Sequence, residues 1–351
     1  MKNKAIIFLS LVVLLILTIY LNLNSQKPKK HKGISITLFD QNDNDEWYDK
    51  TLPKIKEMGA ELEVVTVVTI NDKNDPLPVN DPKISEKLDR LFAKSKEYGV
   101  KVSLIKPHIM YKSENGGIRD GDRAYYNPNN MNQFFSRWKK IMLYYADVSA
   151  ENKVPILSLS CETTQLTQSI YTSKWKEIID SVKSIYPDLK LTMSFRKTDL
   201  DNELKYHENG IKSVGTLLDY IGLNMYPKVK RLDNNEKFEV SDDYFVEDPG
   251  ALYGYVEAIK KAKEYFHRDI LITETGATAR SDNTKDYIAP ITLDETKSEN
   301  YADQSRWTQV VLEMLFQMEE VKGIYIWHVN QPFDYLATPI TQTVKKLYEK
   351  Y

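Results

Sequence analysis

The sequence predicts an α/β protein of the (β/α)8 barrel class, with one large domain. Eight short apolar runs alternate with eight segments of helical periodicity, the order expected of a parallel sheet. The apolar runs are mostly continuous Val, Ile and Leu, which is typical of strands covered on both faces. A doubly wound open sheet is the alternative, but eight equivalent units favour closure into a barrel.

The first four strand–helix units have clear local signals. Their strands are rich in valine, isoleucine and threonine, and one helix carries Ile84, Leu88 and Leu91 at helical spacing. Gly59 and Gly99 mark two helix ends. These strands are predicted at residues 34–39, 62–70, 100–109 and 154–162, and the helices that follow them at 45–58, 83–98, 130–150 and 174–186.

The last four units are similar, except that the helix after the fifth strand has only a weak signal, near residues 211–218. The other three helices are predicted at 250–266, 301–318 and 338–351, and the strands at 189–196, 220–226, 269–276 and 321–329. The long loops at about 71–82, 110–129, 228–249 and 277–299 all follow strands. In a barrel, such loops lie on the active-site side and build a cleft.

Composition excludes several classes of function. A net charge of -2 gives no field that would favour nucleic acid. Cys161 is the only cysteine, so no intrachain disulfide forms. The five histidines show no metal-ligand spacing, and there is no glycine-rich phosphate loop or Gly-x-Ser-x-Gly elbow, so we expect no metal and no cofactor. The 23 tyrosines suit a sugar-binding cleft, although a general compositional bias explains them equally well.

Two glutamates end predicted strands. Glu162 follows the fourth strand and Glu274 lies at the end of the seventh, and these strand ends face each other across the mouth of a barrel. A retaining glycosidase needs such a pair, one carboxyl protonated and one ionised, about 5–5.5 Å apart. Either glutamate alone reads equally well as a helix cap or as the partner of a lysine.

Five strings carry a resemblance to clan A glycoside hydrolases, and within the clan the chain looks most like glycoside hydrolase family 113, the β-mannanase-type barrels. The resemblance covers roughly residues 33–351. The strings are Leu-Ile-Lys-Pro-His-Ile at 104–109, Ser-Cys-Glu at 160–162, Gly-Leu-Asn-Met-Tyr-Pro at 222–227, Thr-Glu-Thr-Gly at 273–276, and Trp327.

The resemblance implies a division of labour between the glutamates. Glu162 would be the acid/base and Glu274 the nucleophile, with Tyr226 donating a hydrogen bond to Glu274. Many clan A enzymes have an asparagine just before the acid/base, where this chain has Cys161. Family 113 is similar to this chain in lacking that asparagine. Recognition of the sugar 2-hydroxyl is then unexplained.

Other residues are candidates for the substrate cleft. Trp327 would stack on a sugar face, although a core tryptophan is the alternative. His108 and Lys106 end the third strand and would line the cleft, unless their roles are structural. The remaining candidates for contacts with sugar hydroxyls are Arg196, Asn224 and Asp40.

These features predict a retaining hydrolase of a β-linked polysaccharide, with β-mannan as the first expectation and no metal or nucleic acid partner. A β-galactan is the alternative substrate within the clan. A third interpretation is a catalytically silent barrel that binds glycans at the cell surface. We expect the protein to be a monomer.

The N-terminus predicts a membrane anchor. Lys2 and Lys4 precede an apolar stretch at residues 5–21, and no cleavage site follows, so we expect a signal anchor at 1–23, a polar basic linker at 24–32 and the catalytic domain at 33–351. A cleaved signal and a secreted enzyme are the alternative. Lysines 27, 29, 30 and 32 would favour a cytoplasmic domain, but a polymer substrate favours an extracellular one.

Overall fold

The computed structural model describes residues 30–38, 44–112, 118–119, 123–230, 252–280, 287–288, 290, 296 and 298–351. Eight parallel strands form a closed sheet in chain order, and the last strand pairs with the first. The predicted barrel is therefore confirmed. The strands are β1 (His31–Thr37), β2 (Glu61–Ile70), β3 (Val102–Lys112), β4 (Ile156–Cys161), β5 (Lys190–Phe195), β6 (Tyr220–Asn224), β7 (Asp269–Thr275) and β8 (Val321–Ile326).

In the described part of the chain, one helix follows each barrel strand. The helices are α1 (Asp45–Met58), α2 (Ile84–Tyr98), α3 (Met131–Glu151), α4 (Thr172–Ile185), α5 (Lys197–Glu208), α6 (Leu252–Phe266), α7 (Tyr301–Gln317) and α8 (Thr338–Lys350). Gly59 and Gly99, with φ of 76° and 63°, end α1 and α2 in the left-handed conformation that glycine adopts without strain. Seven of these helices lie within a few residues of their predicted positions.

The prediction for the helix after the fifth strand was wrong. Residues 211–218 hold only a short 3-10 turn, Val214–Leu217, and the helix is α5, which lies earlier in the chain. Its apolar stripe consists of Leu200 and Leu204 alone, too few to give a periodic signal. The Asp199 carboxylate stabilises its start by accepting a hydrogen bond from the Arg196 backbone N–H.

Most of the hydrophobic core lies between the strands and the helices, and a smaller apolar cluster lies within the barrel. The inner cluster consists of Leu104, Ile156, Leu271 and Tyr325. Alternate residues of a strand point to the same face, so Lys106 and His108 follow Leu104 along the barrel interior toward the carboxyl ends of the strands. Several of the tyrosines are core residues and not cleft residues: Tyr48, Tyr126, Tyr145, Tyr325 and Tyr335.

The C-terminal helix fastens the first strand. The Tyr348 hydroxyl donates a hydrogen bond to the Gly33 carbonyl at 2.8 Å, and the Lys32 ammonium donates to the Tyr348 carbonyl at 2.5 Å. Lys32 and His31 therefore belong to the barrel and not to the expected linker.

No helix among the described residues is long and apolar enough to cross a membrane. The apolar stretch at residues 5–21 and the candidate Asp40 both lie outside the described residues.

A close contact inside the barrel gives a prediction for stability. A Cβ atom on Gly33 would lie 2.0 Å from Cδ1 of the Tyr325 ring. Gly33→Ala should therefore destabilise the fold by about 1–3 kcal/mol through overpacking, measured as the free energy of unfolding in urea. In the double variant Gly33→Ala/Tyr325→Leu the ring is gone, so the loss should be smaller than the sum of the single losses. Strict additivity would contradict the contact.

Candidate active site

Glu162 and Glu274 lie at the carboxyl ends of β4 and β7, at the same mouth of the barrel. Both strands lose regular register just before the glutamate, between Ser158 and Cys161 in β4 and between Ile272 and Glu274 in β7. Such irregularities re-aim side chains next to active sites. Glu162 is also in the left-handed region, with φ of 54°, a strained conformation for a glutamate.

Both carboxylate oxygens of Glu274 are held by donors. Oε1 accepts a hydrogen bond from the Lys106 ammonium at 2.7 Å, and Oε2 accepts one from the Tyr226 hydroxyl at 2.9 Å. The Cys161 Sγ lies 3.6 Å from Oε1 and donates weakly to it. With a side chain only 6% exposed, Glu274 is a fixed, buried carboxylate.

Lys106 is fully buried and contacts two carboxylates. Besides Glu274, its ammonium lies 2.9 Å from Glu63 Oε1 and donates to the Thr273 carbonyl at 2.8 Å. The contacts with Glu274 and Thr273 are hydrogen bonds, and the contact with Glu63 is an ion pair. The ammonium is thus enclosed by protein groups, and a contact of Lys106 with substrate stays a prediction.

The partners of Glu274 keep it ionised. Burial alone would raise its pKa, but the Lys106 charge outweighs burial and holds the pKa of Glu274 well below its ordinary range. Burial raises the pKa of Glu63 to about 7, because the attraction of Lys106 does not offset burial and the repulsion from Glu274.

Glu162 has a different environment. Its Oε2 accepts a hydrogen bond from the Arg123 guanidinium at 3.1 Å, and its Oε1 accepts one from the Asn224 amide at 3.0 Å. Burial and then the negative charge of Glu274 raise the pKa of Glu162, against the opposing pull of Arg123. Its side chain is 22% exposed, so it is the more accessible carboxyl of the two.

His108 stacks on Trp327, with ring centroids 5.7 Å apart and an interplanar angle of 10°. His108 is 2% exposed, and burial followed by the charge of Arg123 lowers its pKa to about 3, so the ring is neutral. The ring is enclosed in the structure, and a contact of His108 with substrate stays a prediction. Trp327 is half-buried and gives part of its surface to His108 and to Lys106, whose ammonium lies 5.3 Å from the ring centroid.

Two other candidates are engaged with the protein. Asn224 is buried, and besides Glu162 its amide group contacts the Cys161 Sγ and accepts a hydrogen bond from the Thr273 hydroxyl. It therefore positions Glu162, and its contact with a sugar hydroxyl stays a prediction. Arg196 contacts the Thr164 hydroxyl and the Asp199 carboxylate at the start of α5.

Sequence reasoning missed two charged residues of the site, Arg123 and Glu63. Arg123 lies in a 3-10 turn within a long loop, where nothing in the local sequence marks it. Glu63 did carry a signal, because it is a carboxylate between Leu62 and Val64, at the start of the valine-rich part of strand β2. A charge in such a strand needs a partner inside the barrel, and Lys106 provides it.

Three potential metal ligands also meet at the mouth. His108, Cys161 and Glu274 place one donor atom each within 4.8 Å of one another. Sequence spacing did not reveal this cluster because its members come from three separate strands, β3, β4 and β7.

The sequence matches the family model described as Glycoside Hydrolase Family 113 over residues 43–350. The chain belongs to this family. It is therefore a glycoside hydrolase, as the resemblance of the five strings implied. Among curated proteins, no sequence matches the chain.

Solved structures share the fold at low sequence identity. A GH113 β-1,4-mannanase in a complex has a TM-score of 0.69 at 18% identity, and the match covers 92% of this chain and 100% of that one. The GH113 β-mannanase AaManA from Alicyclobacillus acidocaldarius, in complex with ManMIm, has a TM-score of 0.66 at 14% identity, covering 92% and 98%. A fungal β-1,4-galactanase is more distant, with a TM-score of 0.56 at 14% identity, covering 94% and 97%.

The separate partners of the glutamates predict separate effects on the pH profile of kcat/KM. Lys106→Met should raise the pKa of Glu274, because the attraction that lowers it is lost, and so should move the acid limb to higher pH. Arg123→Met should raise the pKa of Glu162 further, and so should move the alkaline limb to higher pH. Each variant serves as the control for the other. A shift of the same limb in both variants would contradict the two-partner arrangement.

Proposed function

We propose that this hydrolase cleaves a β-linked polysaccharide with retention, using Glu274 as nucleophile and Glu162 as acid/base. The proposal rests on one observation: the two glutamates at this mouth of the barrel have different partners. Glu274 is buried and held by the Lys106 ammonium and the Tyr226 hydroxyl, whereas Glu162 is more exposed. The opposite directions of their pKa shifts support the same division.

In the first step, the ionised Glu274 carboxylate attacks the anomeric carbon while Glu162 gives its proton to the leaving oxygen. Arg123 then stabilises the Glu162 carboxylate that this transfer creates, at 3.1 Å. In the second step, Glu162 takes a proton from water, and the oxygen of that water displaces Glu274 from the sugar. The hydrogen bond from Tyr226 and the ion pair with Lys106 keep Glu274 aimed at the anomeric carbon throughout.

The substrate we propose is a β-mannan. The support comes from the GH113 β-mannanases that share this fold, and from the half-buried Trp327, whose remaining surface suits a sugar face. The test is a panel of β-mannan, β-galactan, xylan and β-glucan, with released reducing ends as the readout. Release from β-galactan and not from β-mannan would make the protein a galactanase, and release from none would favour a glycan-binding barrel.

The two roles make different predictions for variants. Glu274→Gln should lose activity on every substrate, by about 10⁴-fold or more, because no nucleophile remains. Glu162→Ala should keep much of its activity on an aryl glycoside with a good leaving group, and added azide should restore turnover with a β-azide product. Equal losses on the aryl glycoside would contradict this division, and an α-azide product would contradict retention.

We also propose that residues 5–21 anchor the enzyme in a membrane with the barrel outside the cell. The apolar stretch and the lack of a cleavage site support an anchor, and a polymeric substrate supports the orientation. Because β1 begins at His31, Lys32 is part of the barrel. The linker then holds three lysines and not four, which weakens the charge argument for a cytoplasmic barrel.

The anchor predicts the behaviour of two versions of the protein. The full chain should sediment with membranes, and a truncated version that begins at Lys30 should be soluble. Protease added to intact cells should release the barrel, which an antibody to α8 detects. If the barrel is protected until the cells are lysed, the orientation is reversed, and if the full chain is soluble, there is no anchor.

A further inference from the structure

One buried atom at the site has no use in the proposed mechanism. The His108 Nε2 has no hydrogen-bond partner among the described residues, although the ring is 2% exposed. It lies 3.5 Å from Glu274 Oε1, and the Cys161 Sγ lies 3.6 Å from the same oxygen. An imidazole nitrogen, a thiol and a carboxylate therefore converge, and all three atoms lie within 4.8 Å of one another.

These distances fit a tetrahedral zinc-type site. Typical bond lengths of about 2.0–2.1 Å to nitrogen, 2.1 Å to oxygen and 2.3 Å to sulfur give ligand separations of about 3.4 Å for N to O and about 3.6 Å for S to O. The observed separations of 3.5 Å and 3.6 Å agree with these values. The nitrogen and the sulfur lie within 4.8 Å of each other, and a tetrahedral cation would bring them to about 3.6 Å. Water would fill the fourth position.

We propose that a thiophilic divalent cation, such as Zn²⁺ or Cd²⁺, binds to His108 Nε2, Cys161 Sγ and Glu274 Oε1 and thereby inhibits the enzyme. As the metal–sulfur bond forms, the S–H bond breaks and the proton goes to solvent. The cation occupies the carboxylate oxygen that faces the thiol, so Glu274 no longer attacks a sugar. The inhibition, but not the binding, rests on the proposed role of Glu274.

Lys106 is the group that opposes such a cation, since its ammonium lies 2.7 Å from the same carboxylate oxygen. It keeps two other acceptors, the Glu63 carboxylate and the Thr273 carbonyl, when its contact with Glu274 weakens. With both carboxylates ionised, Glu63, Lys106 and Glu274 carry one net negative charge. A dication and a thiolate together add one positive charge, so the buried group becomes neutral.

The test is a calorimetric titration of the full chain, purified without a histidine tag, with CdCl₂ and with ZnCl₂. Because Cys161 is the only cysteine, an ultraviolet cadmium–thiolate charge-transfer band reports on this site alone. We expect one cation per chain, a band that saturates at the same stoichiometry, and loss of the band on adding a chelator. Micromolar cation should abolish release of reducing ends.

Variants locate the site. Cys161→Ser should lose the band and weaken binding by about 100-fold, and His108→Phe, which keeps a ring against Trp327, should weaken binding by about 10–100-fold. His207→Phe is the matched control, because this exposed histidine stacks on Tyr265 outside the barrel, and it should bind cadmium like the unchanged chain.

The absence of a band in the unchanged chain, or binding equal to it in both site variants, would overturn the proposal. If a variant fails to fold, the band in the unchanged chain still decides. A protein that binds cadmium through Cys161 but cleaves no glycan would contradict the proposed function and leave this inference intact.

Discussion

The structure of the site depends on one buried cation, the Lys106 ammonium. A lysine inside a barrel is unfavourable unless its charge and all its donors are matched. Here Glu63 and Glu274 supply the opposite charge, and Glu274 and the Thr273 carbonyl accept hydrogen bonds; these groups come from β2 and β7. Removing Lys106 would leave two buried carboxylates with no cation between them, so the integrity of the barrel interior and the ionisation of Glu274 are linked.

Surroundings, and not residue type, distinguish the two glutamates. Both are strand-end residues preceded by irregular register, and both are largely enclosed. Glu274 contacts a lysine that two other groups hold, while Glu162 contacts an arginine from a loop and an amide from β6, the strand that pairs with β7. The Cys161 thiol and the Asn224 amide lie between them, so the asparagine that contacts Glu162 comes from β6 and not from the position before Glu162.

The barrel and the glutamate pair could be predicted because they leave local traces: apolar runs, helix-ending glycines and a charged residue at the end of a strand. The features that the sequence does not reveal depend on burial and on distant partners. The depth of Lys106 and His108 is one of them, because a strand end is ambiguous about depth, and their enclosure follows from Glu63 and Trp327, which lie far away in sequence. The place of Arg123 in the site could not be predicted either, because its partner Glu162 is distant in sequence. The helix α5 could not be predicted because two leucines make no periodic pattern.

The hydrogen bonds of Tyr348 and Lys32 join the last helix to the first strand, so they determine when the barrel can close during synthesis of the chain. β1 pairs with β8 and is fastened by α8, so its edge stays open until nearly the whole chain has been made. A nascent chain therefore holds an unclosed sheet with unpaired strand edges, which are prone to association. A chain that leaves the cytoplasm during synthesis does so before the barrel closes, and no folded domain has to be unfolded for transport.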